Sequence, residues 1–109
     1  KPLVANQVVR HRLVEMHRRV DAARTYTRAV AARYAAGEDP LVEALHAKAL
    51  AVEDAAHVCD QAVQLHGGTG YLHGTEVERH YRDARILGIG GGATEVLDDL
   101  TARLLGYGT

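Results

Sequence analysis

The chain has 109 residues, no Trp, no Phe and a formal net charge of −1, which limits it to one domain with a modest core and leaves no bulk field to recruit nucleic acid. Its single cysteine excludes an internal disulfide and fits a reducing compartment. There is no window apolar and long enough for a membrane span and no signal-peptide pattern, and the excess of Arg over Lys adds the expectation of a bacterial, cytoplasmic setting.

The chain opens on Lys1-Pro2 rather than Met, so it is expected to be the tail of a longer polypeptide or a processed fragment. From Leu3 to Ala36 there is neither Gly nor Pro. Val9, Leu13, Met16, Val20, Ala23, Thr27, Val30 and Tyr34 follow alternating spacings of four and three, the stripe of one bundle helix. Gly37 suits the C′ position that ends it. Asp39 is expected as N-cap and Pro40 as first residue of a second helix, which runs to about Leu65. Its stripe is Leu41, Leu45, Ala49, Val52, Ala56, Cys59 and Val63, widened by further alanines.

The first 36 residues carry about +6 and residues 37–66 about −5. A short connection and opposite charges predict an antiparallel pair with complementary flanks. The alternative, a nucleic-acid face on the arginines, is disfavoured because a matching acidic helix follows at once. Residues 67–74 read as a turn. Thr75 to Glu78 then matches a capping box opening a short third helix through about Ala84. Ile86 to Gly92 reads as a loop, and a last helix starts near Ala93 or Thr94 with Val96, Leu97, Leu100 and Leu104 inward. The expected fold is all-α, an antiparallel four-helix-bundle-like domain in the order long, long, short, final helix.

Eight of the eleven glycines fall between Gln64 and Glu95, so the non-helical, shaped surface concentrates there. Gly88-Ile89-Gly90-Gly91-Gly92-Ala93 has the letters of a dinucleotide fingerprint, but helices flank it and the motif requires a preceding strand. Two readings stand for it: a glycine loop that lets a flat or anionic ligand approach a helix N-terminus, or a flexible connection. Gln64 with Gly67-Gly68 is a second corner of the same kind, or a simple helix stop. Arg82-Asp83 either positions a loop or is a solvated pair. His66, His73 and His80 are seven apart but straddle turns, and His57 and Cys59 point in different directions on one helix. Neither set has metal-site or nucleophile geometry, and no metal site is expected.

Three runs, Gln64-Leu65-His66-Gly67-Gly68-Thr69-Gly70-Tyr71, Glu78-Arg79-His80-Tyr81-Arg82-Asp83-Ala84-Arg85 and Ile89-Gly90-Gly91-Gly92-Ala93-Thr94-Glu95-Val96, together with Lys1-Pro2-Leu3 and Gln7, resemble the C-terminal helical domain of acyl-CoA dehydrogenases. The resemblance covers essentially the whole of 1–109 and implies that domain without its first helix. It implies FAD-dependent α,β-dehydrogenation of acyl-CoA thioesters, with electrons passed to an electron-transfer flavoprotein, in a homo-oligomer that uses this bundle for contact. By the same resemblance, Asn6, Gln7, Gln64, Gly67, Gly68, Ala93, Thr94 and Glu95 are expected at the cofactor and Gly92 at the substrate. The Gln64–Gly68 segment is expected to reach the flavin of a neighbouring subunit. Gly91 stands where many members carry the catalytic Glu, and Ala93 where Thr is usual. No catalytic residue is therefore expected in this chain, and activity is not expected from it alone. The second functional reading is a helical interaction module without catalysis. Neither nucleic acid nor membrane is expected as a partner.

Overall fold

A computed structural model describes residues 1–108. A 3-10 turn at Leu3–Ala5 precedes α1 (Gln7–Ala35), α2 (Leu41–His66), the single turn α3 (Gly68–Tyr71) and α4 (Glu76–Ala84). A second 3-10 turn at Arg85–Gly88 leads into α5 (Thr94–Leu104). Among the described residues there is no strand. The fold is all-α and bundle-like.

The helix boundaries follow from local chemistry and differ from the expected ones in two places. Asn6 is extended (φ −81°, ψ 129°) and separates the opening turn from α1, so the helix is not continuous from Leu3. The Arg10 guanidinium donates to the Val4 and Ala5 carbonyls at 3.1 and 2.7 Å, satisfying oxygens that a continuous helix would bond through its own backbone. At the other end Gly37 takes φ +89°. Its N–H donates to Tyr34 and that of Glu38 to Arg33, each at 3.1 Å, a Schellman stop. Pro40, not Asp39, caps α2, and its carbonyl accepts from the Ala44 N–H at 2.8 Å. Boundaries of this kind turn on one peptide unit.

The α1–α2 pairing is antiparallel. Glu15 faces His57, Arg19 faces Asp54 and Arg33 faces Glu43 along the two helices. Arg19 donates to Asp54 at 3.1 Å and to Glu15 at 3.1 and 3.2 Å. Asp54 is only 6 % exposed, so its charge relies on that guanidinium. The hydrogen bond to Asp54, then that to Glu15, raises the Arg19 pKa above its usual value. Next to this pair, the buried His57 Nε2 has no hydrogen-bond partner and lies 3.5 Å from Glu15.

All remaining elements pack on other faces of α2: α3, α4, the second 3-10 turn and α5. α1 makes its helix–helix packing with α2. The chain is therefore elongated, 54 × 25 × 24 Å, with a radius of gyration of 16.9 Å against about 13 Å for a compact chain of this length. The buried apolar residues are small or β-branched: Ala23, Val30 and Ala47. Because α1 has one main partner, parts of its stripe stay outside, with Val20 and Tyr34 exposed. On α5, Leu97 and Leu100 turn inward, while Val96 and Leu104 are exposed. The expected inward face of α5 is thus rotated toward Thr94 and Leu97, which meet Leu45, Lys48, Ala49 and Val52 of α2. An apolar groove of about 520 Å³ runs between α1 and α2 past Val30, Tyr34, Leu41, Ala44 and Ala47.

Removing the Asp54 carboxylate leaves Arg19 with Glu15 alone. Asp54→Ala is expected to destabilise the chain by about 1–3 kcal/mol, read as a lower urea midpoint with unchanged slope. A midpoint equal to that of the unsubstituted chain would show that the pair contributes nothing.

Candidate functional site

The first glycine corner forms where α2 ends. Gly67 takes φ +61°, ψ −145°, a conformation open to glycine, and its N–H donates to the Gln64 carbonyl at 3.1 Å. The residues read as a turn then make one helical turn, α3, folded directly back on α2. A Cβ on Gly70 would lie 2.6 Å from the Val63 carbonyl oxygen and 2.9 Å from His66 Cβ. Hydrogen is the only side chain that admits this approach. A Cβ on Gly67 or Gly68 would meet nothing within 4 Å, so the corner opens to solvent.

Beside it a cleft of about 670 Å³ is lined by Gln64, Tyr71, Tyr81, Glu78 and Arg82. Arg82 pairs with Glu78, one turn earlier, rather than with Asp83, because i, i+4 neighbours share a helix face and adjacent residues do not. Asp83 lies on the opposite side of α4, beside Val58 and Cys59. The Arg82 hydrogen bond is the main cause holding the Glu78 carboxyl below its ordinary value, with His73 adding to it. The expected capping box is replaced. Thr75 is the N-cap by backbone geometry, but its hydroxyl donates to the Leu72 carbonyl at 2.9 Å and Glu78 turns to Arg82.

Asn6 and Gln7 are exposed at the start of α1. The antiparallel register that pairs Glu15 with His57 brings them to the same end as Gln64–Gly68. Five of the expected cofactor positions, Asn6, Gln7, Gln64, Gly67 and Gly68, thus share one end of the α1–α2 pair.

The second corner is built around a residue that the sequence pattern did not single out. Lys48, on α2, donates through Nζ to the Gly90 carbonyl at 2.8 Å and the Gly92 carbonyl at 2.7 Å. The Thr94 hydroxyl donates to the Gly88 carbonyl at 3.3 Å, so it braces the loop from within. Gly91 and Gly92 have φ +70° and +105°. A Cβ on Gly92 would lie 2.7 Å from Leu97 Cδ2, whereas one on Gly91 would meet only Lys48 Nζ, at 3.6 Å. Ala93 caps α5 with extended backbone, and Glu95 is exposed in its first turn. The only signal for Lys48 in the sequence is a lone cation on an otherwise acidic and apolar helix.

Lys48 and Gln64 are sixteen positions apart on one helix, which separates the two corners by about 24 Å. They do not converge within this chain. The glycines themselves carry no proton-transferring group; the ionisable side chains of the two segments are His66, just before Gly67, and Glu95, in the first turn of α5. Both corners offer backbone N–H groups, at Gly68 and at the start of α5, where the first amides of a helix lack intrahelical acceptors. These features fit contact with the phosphates or heterocycle of a dinucleotide such as FAD, each corner by itself. The histidines are dispersed. His66 Nδ1 sits 2.7 Å from the Ala62 carbonyl, and His80 lies 3.2 Å from Glu76. Among the described residues no three His, Cys, Asp or Glu side chains converge. Burial pushes the Cys59 thiol up, away from the reactive thiolate.

The family model described as "Acyl-CoA dehydrogenase, C-terminal domain" matches residues 1–106. The human mitochondrial short-chain specific acyl-CoA dehydrogenase is 40 % identical over 96 residues, covering 87 % of this chain and 23 % of that protein. A solved Mycobacterium smegmatis chain ascribed to acyl-CoA dehydrogenases is 52 % identical with a TM-score of 0.97, covering 100 % of this chain and 29 % of its own. Butyryl-CoA dehydrogenase of Megasphaera elsdenii superposes with a TM-score of 0.92 at 36 % identity, covering 96 % of this chain and 27 % of its own. The chain spans about a quarter of the length of the curated relatives it matches.

Two measurements check this geometry. Gly91→Ala is expected to cost about 1–2 kcal/mol, the strain of a left-handed residue. Gly92→Ala should cost about 2–4 kcal/mol because Leu97 must also move; equal urea midpoints would contradict the loop geometry. Glu78, whose folded pKa is depressed, stabilises α4 above its ordinary value of 4.5. That contribution is lost as pH falls through the lower folded value. Glu78→Gln should therefore flatten the acid side of the stability–pH curve, and an unchanged curve would remove Glu78 from the account.

Proposed function

The chain belongs to the acyl-CoA dehydrogenase family, as a C-terminal domain of that kind, and on that premise we propose that it contributes flavin contacts and oligomer interface to α,β-dehydrogenation of acyl-CoA thioesters. The observation that carries this reading is the separation of two backbone-lined corners on one helix. A single chain offers two edges of a cofactor site rather than one site. This supports a flavin held at Gly91–Glu95 by one copy while Asn6, Gln7 and Gln64–Gly68 touch the flavin of a neighbour.

The flavin, when bound, supplies the acceptor for the β-hydride. The residues of this chain bind and orient. The amides at the start of α5 and the loop around Gly92 face the cofactor and substrate, and Gln64 with Gly67 and Gly68 borders the distal end of a neighbouring cofactor. Gly91 has no proton-accepting group, so the base that removes the α-proton stands outside these 109 residues. Glu95 does not replace it, since it lies about one helical turn further along. The apolar groove between α1 and α2 supports burial against another domain or copy, because its small side chains leave Tyr34 and Leu41 in solvent. An electron-transfer flavoprotein is the proposed acceptor for the reduced cofactor.

The test is an absorbance spectrum. The 109-residue chain alone is expected to purify colourless and without dehydrogenase activity. The polypeptide encoded by its complete reading frame should carry stoichiometric FAD and reduce a dye acceptor with an acyl-CoA thioester. A colourless full polypeptide with no activity would favour the interaction-module reading instead.

A further inference from the structure

A loop containing Gly88, Gly90, Gly91 and Gly92 has large conformational freedom to lose, yet it stands in a defined position. Its tether is one ammonium on a neighbouring helix. Lys48 Nζ bonds the carbonyls of Gly90 and Gly92, 42 and 44 positions away in sequence, at 2.8 and 2.7 Å. The peptides involved are trans, so each carbonyl and the N–H of the following residue point in opposite directions. Turning the Gly90 and Gly92 carbonyls onto α2 therefore turns the Gly91 and Ala93 N–H groups away from it. Neither N–H has a backbone acceptor among the described residues. A positive charge at the oxygen end of a peptide also strengthens the donor at its nitrogen end.

We propose that Lys48 is a positioning residue for this reaction: it holds and polarises the Gly90–Gly91 and Gly92–Ala93 peptides so that their N–H groups face the bound ligand. The proposal rests on the flavoprotein reading above for the identity of that ligand, but not for the tether itself. Lys48 acts through the loop and does not touch the ligand. Its hydrocarbon stem lies against the start of α5, beside Thr94 and Leu97, so Lys48→Met keeps the packing and removes the two donors. Lys48→Arg keeps charge and donors on a different geometry.

The tether is tested in the 109-residue chain by amide and ammonium nuclear magnetic resonance. In the unsubstituted chain the Lys48 ammonium protons should be protected from solvent exchange; free exchange overturns the proposal whether or not any variant folds. Lys48→Met should abolish the single dispersed resonances of Gly90, Gly91 and Gly92 while those around Arg19 and Asp54 stay in place, and Lys48→Arg should restore them in part. Unchanged glycine resonances in Lys48→Met overturn the proposal. In the flavin-loaded full polypeptide, Lys48→Met should lower kcat on the order of 10- to 100-fold with a smaller change in KM, and Lys48→Arg should recover most of the loss. Unchanged kcat alongside a disordered loop overturns the positioning role. Absence of flavin from the unsubstituted full polypeptide defeats the flavoprotein reading instead, and leaves the resonance result to decide the tether.

Discussion

One helix has to serve as partner for nearly everything else. α2 receives α1 on one side and α3, α4, the second 3-10 turn and α5 on others. Such a helix needs apolar or small residues on more than one face, and α2 is accordingly rich in alanine. Small side chains let neighbours approach closely but bury little area per residue. The core of the chain reflects this, with Ala23, Val30 and Ala47 as its buried apolar members. The elongated shape and the open groove beside Tyr34 and Leu41 are consequences of the same constraint. A chain arranged this way leaves apolar surface unburied along α1–α2, at Val20, Tyr34 and Leu41.

Charge completes what the small core leaves undone. Arg19 crosses from α1 to the buried Asp54, and Arg33 crosses the α1–α2 connection to Glu38 and Glu43. Each cation reaches two carboxylates, which fixes the register of two long helices whose alanine faces alone would slide. Lys48 does the same for the glycine loop, with backbone carbonyls in place of carboxylates. The three cations use one device at three levels: a flexible stem on one helix and a charged head that specifies the position of another segment.

The two glycine corners differ in why glycine is needed. At Gly70 the need is space, because α3 lies against the Val63 carbonyl. At Gly91 it is backbone conformation, since a Cβ there would find room. At Gly92 both apply. Gly91 thus has room for a side chain but a left-handed backbone that would strain one.

Much of this was legible in the residue pattern. The periodic stripes of α1 and α2, the stop at Gly37 and the start of α5 follow from local rules that act over three or four residues, and the bundle-like class follows from them. The Gln64–Gly68 and Gly90–Glu95 corners were legible because glycine clusters where backbone departs from helix. Other features were decided only by the tertiary structure. Asn6 stands extended before α1 while the Arg10 side chain takes up the Val4 and Ala5 carbonyls, and α5 turns Val96 outward because Thr94 and Leu97 face α2 near Lys48. Arg82 chose Glu78 over Asp83, and Glu78 was thereby lost to the capping box. The role of Lys48 could not be read from spacing, since its partners are backbone oxygens more than forty positions away and carry no residue identity. Local periodicity determines which segments are helices; which side chain reaches across to hold a loop, and how far apart two similar-looking corners lie, depends on the path of α2 through space.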